Sequence, residues 1–167
     1  MEESIETAEN EQRLRDLQLD SLVQKAKSKS LELLANVPYN GDCLFSAVLS
    51  HIPTVAPDSA SLRRMLVAYF QGTLCHQETK MLCDANENFL ANLQIPFKDV
   101  QETLVVRGLA EMLGVHIYVF SVDVVNDDSS EEMHFSPHVT EHNAANDKKI
   151  TSVCIGHIKD KHFVALQ

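Results

Sequence analysis

The apolar pattern of this 167-residue chain changes period once, near Gly114, and that change limits the folds open to it. Upstream, apolar residues recur at helical spacing. They do so at Leu19, Leu22, Val23 and Ala26, at Leu62, Met65, Leu66, Tyr69 and Phe70, and at Leu104, Leu109, Met112 and Leu113. Downstream, Val115 to Ser121 is β-branched and aromatic, and apolar enough to be a central strand. Ile150 to Ile158 and His162 to Leu166 read as two more strands around the turn Lys159-Asp160-Lys161. Helices first and a small sheet last predict an α+β domain.

Within that frame, residues 1–30 are charged and contain no Gly or Pro, so they read as an N-terminal helical extension that packs one stripe on the domain. The domain itself is assigned to residues 31–167. Leu31 to Ala35 is expected to finish a helix before Pro38 stops it. Asp58 is a plausible cap for the helix after it, and Gly114 ends the helix that begins near Val100. Asn126 to Glu132 reads as an acidic loop.

A net charge of -10 argues against nucleic acid and anionic membrane as main partners. No stretch approaches the roughly 18 apolar residues of a membrane span. The N-terminus, Met1-Glu2-Glu3-Ser4, lacks the basic and apolar parts of a secretion signal. Cys43, Cys75, Cys83 and Cys154 are too scattered for a disulfide framework. A reducing compartment is expected, the cytoplasm with the nucleus as the alternative, and a monomer is expected there.

One of these cysteines stands apart. Cys43 lies in Asn40-Gly41-Asp42-Cys43-Leu44-Phe45, a polar turn that opens into an apolar helical run ended near Pro53. A thiol at a helix start faces unpaired N–H groups and the positive end of the macrodipole, and both favour the nucleophilic thiolate. Covalent catalysis then needs a histidine within reach. Of eight histidines, His162 opens the last strand just after a turn, held by the sheet yet at its edge. His157 is the rival and reads as structural or exposed.

The run Asn40-Gly41-Asp42-Cys43-Leu44-Phe45 resembles the nucleophile motif of the ovarian tumour (OTU) family of cysteine proteases, Asp-Gly-x-Cys-Leu-Phe. His162-Phe163 is similar to that family's histidine and its following aromatic. Leu104 to Val119 resembles its helix-to-strand segment, and Leu62-Arg63-Arg64-Met65 its second helix. The match runs in order over residues 36–167. It implies a papain-like fold, with a small central sheet flanked by helices, and a deubiquitinase that cleaves isopeptide bonds after the C-terminal Gly of ubiquitin or a ubiquitin-like modifier. Cys43 would be the nucleophile, His162 the general base, and the N–H groups of Asn40, Gly41, Asp42 and Cys43 the oxyanion hole. No metal or other cofactor is expected. The implied partners are ubiquitin or a ubiquitin-like modifier and its conjugates.

Two departures qualify that expectation. Asn40 stands where the family usually has Asp; its amide can brace the loop without placing a charge beside a thiolate. Val164 stands where many members carry an Asp or Asn that orients the histidine, and it cannot accept a hydrogen bond. Three replacements are open: a Cys–His dyad or a backbone-held histidine, then Asp160, then Asn36. The missing orienter motivates the alternative function, an impaired module that binds ubiquitin or another partner without turnover. Elsewhere, Cys75-His76 with Cys83 lacks the second ligand pair zinc prefers. His134, His138 and His142 read as loop residues, Cys154 as an inert strand thiol, and Asp127, Asp128, Glu131 and Glu132 as a solvated acidic patch that a basic face of ubiquitin could meet.

Overall fold

The computed structural model of the chain describes residues 2–96, 98, 100–122, 130–137, 152–158 and 162–167. The long helix α1 (Glu2–Ser28) is followed by a short strand β1 (Leu33–Ala35). Then come α2 (Cys43–His51), α3 (Ser59–Gln71), α4 (Gln77–Ala85), α5 (Phe89–Leu93) and α6 (Glu102–Leu113). Strands β2 (His116–Val122), β3 (Ser130–Phe135), β4 (Ser152–Ile158) and β5 (His162–Leu166) complete an α+β domain.

The strands form one five-stranded mixed sheet in the order β1-β5-β4-β2-β3. Only β2 and β4 run parallel; the other neighbours are antiparallel. Period-two alternation divides the sheet between two cores. Ile117, Val119, Val153, Ile155, Phe163 and Ala165 point to the main core, which α2, α3 and α6 cover. Phe120, Val122, Ile158, Val164 and Leu166 point the other way, onto Leu22 and Ala26 of α1. Leu22 and Ala26 are fully buried, while Leu14 and Leu17 lie exposed, so α1 docks by its C-terminal half. Gly156 permits this approach: a Cβ there would lie 2.8 Å from a methyl of Leu22.

Local chemistry explains most boundaries. The Asp58 carboxylate accepts the Ser61 N–H at 2.6 Å and caps α3. Gly114 ends α6 with φ 66° and ψ 36°, the left-handed conformation that glycine adopts without a steric cost.

Four expectations fail. Residues 31–35 are not the end of a helix, because Ser30 takes φ 61° and the chain leaves α1. Leu33 and Ala35 then pair with Leu166 and Ala165 of β5, and Glu32 and Gln167 exchange backbone hydrogen bonds of 2.8 Å. The acidic segment is not loop throughout. Glu131 and Glu132 belong to β3 and pair with Ser121 and Phe120, while Asp127 and Asp128 lie outside the described residues. His134, likewise, sits in β3 rather than in a loop, and His138 and His142 are outside the description. In α3, Met65 faces solvent and Arg63 faces inward, the reverse of what apolar spacing predicts.

Candidate active site

Cys43 is the first residue of α2, and the fold sets it against β5. The backbone N–H groups of Phe163, Leu44 and Cys43 itself face its sulfur and favour the thiolate. Burial is the larger effect and pushes the thiol up, with the Glu102 carboxylate adding to it. The helix terminus thus acts as its position suggests, but desolvation outweighs it. His162 is the residue next to Phe163 and opens β5. Burial pushes its imidazole below the ordinary histidine value, while the carbonyl of Val37 favours the protonated ring. At both groups burial is the larger effect, and it favours the neutral thiol and the neutral imidazole.

Cys43 and His162 stand on the adjoining elements α2 and β5. No hydrogen bond joins the Cys43 thiol to the imidazole, and His162 Nδ1 is buried with no hydrogen-bond partner among the described residues. Catalytic hydrogen bonds are often long or poorly aligned in unliganded sites and tighten on substrate. The position of β5 relative to α2 therefore decides the pair, since sequence separates them by more than a hundred residues.

The loop before Cys43 is closed on itself. The Asn40 side-chain oxygen accepts the Asp42 N–H at 3.0 Å, and its carbonyl accepts the Cys43 N–H at 3.2 Å. The Asn40 N–H itself donates to the Pro38 carbonyl at 2.9 Å. An oxyanion arriving at this loop competes with those acceptors for its donors. Asp42 precedes α2 without capping it through its side chain. Its carboxylate instead receives Arg63 Nε at 2.7 Å. Arg63 also donates to the carbonyls of Gly41 and Leu93, the latter at 2.8 Å, and its guanidinium lies 4.5 Å from the Phe45 ring centroid. This buried cation ties α3 to the turn that precedes Cys43.

A groove of about 640 Å³ opens along the site, lined by Tyr39, Asn40, Gly41, Cys43, Glu102 and Phe163 among others. Beneath it, His157 is buried and stacks on Phe163 at 4.2 Å, with Ser121 Oγ 3.1 Å from its Nδ1 and the Glu102 carboxylate 3.4 Å from its Nε2. It braces the strand that holds His162.

The position that lacks an orienter and the two side chains that could replace one fare differently. Val164 is fully buried, Asn36 is exposed with no hydrogen bond to His162, and Asp160 lies outside the described residues. Among the described residues, no group of three or more His, Cys, Asp or Glu side chains is placed to hold a metal ion. Arg63, Tyr39 and Glu102 were not singled out by residue type or spacing. Only the Leu62-Arg63-Arg64-Met65 resemblance touched one of them.

This architecture, a mixed five-stranded sheet with the helix-terminal cysteine set against its last strand, is the OTU fold. The OTU domain of OTUD1 superposes with a TM-score of 0.63 at 13% identity, covering 90% of this chain and 94% of that one. An OTU deubiquitinase from Wolbachia pipientis, solved bound to ubiquitin, gives 0.55 at 16%, covering 82% and 95%. The OTU domain protease of Taggert virus gives 0.58 at 19%, covering 82% and 79%. No protein-family model and no curated protein sequence matches the chain.

Proposed function

We propose that this protein is a thiol-dependent isopeptidase that hydrolyses the bond after the C-terminal Gly of ubiquitin or a ubiquitin-like modifier. One observation carries the reading: the helix-terminal Cys43 faces the backbone of Phe163, the neighbour of His162, at the floor of an open groove. In this scheme His162 takes the thiol proton and the sulfur attacks the glycine carbonyl. The oxyanion turns toward the N–H groups of the Asn40-to-Cys43 loop, and the imidazolium returns its proton to the departing lysine amine. Water then hydrolyses the thioester. All four cysteines are unpaired, which suits a reducing compartment such as the cytoplasm. A ubiquitin-derived C-terminal electrophile is expected to label the wild type and not Cys43→Ala. Labelling that persists in the mutant removes Cys43 from the role.

A second reading is an impaired module that binds ubiquitin or another partner without turnover. It is favoured by the loop donors already bonded within the loop and by the absence of a side-chain acceptor at Val164. Binding with no cleavage of any chain linkage supports it. Turnover that vanishes in His162→Ala excludes it.

A further inference from the structure

His162 has no side-chain acceptor at Val164, yet its ring is not loose. The Tyr39 ring lies against it, with centroids 5.1 Å apart and planes inclined by 42°. Two residues earlier in the same segment, the Val37 carbonyl acts on the imidazole and favours its protonated form. Val37-Pro38-Tyr39 runs directly into the nucleophile loop, and the Asn40 N–H to Pro38 carbonyl bond continues the turn. One short, proline-stiffened segment thus supports both the histidine and the cysteine.

Tyr39 is itself held from outside the loop. The guanidinium of Arg15, on α1, lies 5.1 Å from the Tyr39 ring centroid, within cation–π range. Arg15 is steadied on its own helix by Gln12, whose side-chain oxygen accepts Arg15 Nη2 at 3.0 Å, and by Glu11 at 3.8 Å. Two turns further along, α1 is anchored by the buried Leu22 and Ala26.

We propose that Tyr39 is a positioning residue that holds the His162 imidazole by ring packing in place of a side-chain acceptor, and that Arg15 of α1 fixes Tyr39 for that task. The helix N-terminal to the catalytic domain then becomes part of the site's support. This inference rests on the thiol–imidazole reading of Cys43 and His162, so its test must separate the two.

The test uses the full chain and an alkylating ubiquitin-derived C-terminal electrophile, so that the site is read with its ligand seated, following alkylation at the Cys43 peptide by mass spectrometry alongside kcat and KM on a ubiquitin substrate. Wild type should alkylate faster at Cys43 than His162→Ala does; equal rates overturn the thiol–imidazole reading itself. Given that difference, Tyr39→Ala should slow alkylation and lower kcat more than it changes KM, and Tyr39→Phe, which keeps the ring, should restore both. Arg15→Ala should lower the alkylation rate by about two- to fivefold, the range expected for loss of an exposed cation–π contact. A rise in KM alone in Tyr39→Ala makes Tyr39 a substrate contact and overturns the proposal. So does an alkylation rate unchanged in both Tyr39→Ala and Arg15→Ala. If Tyr39→Ala fails to fold, the half-buried Arg15 still decides the matter, because its substitution removes no core contact.

Discussion

At the scale of the residue, Arg63 shows how a charge can be placed inside. Its guanidinium is taken up by Asp42, by the Gly41 and Leu93 carbonyls and by the face of Phe45, so little of its hydrogen-bonding capacity is wasted. Arg63→Ala leaves the Asp42 carboxylate and two carbonyls without that donor, and breaking such a buried pair costs about 3–5 kcal/mol. For a domain of this size each 1 kcal/mol shifts Tm by roughly 2–4 °C, so a drop on the order of 10 °C is expected in a thermal melt. Arg63→Lys should rescue little, because one ammonium cannot span acceptors spread across a fork. The titrating pair makes a second prediction. In the proposed mechanism His162 acts as a base only when neutral, and burial holds its ring below the ordinary histidine value of 6.5. Activity should therefore persist as pH falls past the ordinary histidine value and be lost only through the depressed one. A pH profile of kcat/KM whose acid limb lies at or above 6.5 contradicts this assignment.

At the scale of the element, α6 and α3 meet at a glycine. A Cβ at Gly108 would lie 2.5 Å from Cζ of Phe70 and 3.0 Å from a Leu66 methyl. Phe70 is fully buried and packs edge-on against Phe89 at 5.2 Å, so its ring has nowhere to retreat. Gly108→Ala gains about 1 kcal/mol in helix propensity but forces overpacking of about 1–3 kcal/mol. The strain should win, and calorimetry should show a lower Tm; a rise would mean the helices separate cheaply. The same element illustrates what spacing can reveal. Leu104 and Leu109 turn inward as their periodicity requires, whereas β1 leaves no such signal, because three residues carry no periodicity of their own. β1 exists because β5 offers it an edge to pair with.

At the scale of the whole molecule, the question is whether α1 is an appendage or a layer. Leu22 is fully buried against Val164, Leu166 and Gly156, on the face of the sheet away from the main core. If that layer folds with the rest, Leu22→Ala should cost about 2–5 kcal/mol and lower a single unfolding transition. An unchanged main transition, with only a local loss of helix signal, would make α1 a separable arm. The division of labour between sequence and structure follows from range. Helices, the β5 strand and the identity of Cys43 and His162 as candidates could be read from the chain, because periodicity, turn residues and helix-terminal chemistry are local. The burial that raises the thiol and lowers the imidazole could not be read there. Neither could the inward turn of Arg63, nor the reach of Arg15 through Tyr39 to His162. Each of these depends on which distant segments the fold brings into contact, and desolvation and packing act only once that contact is made.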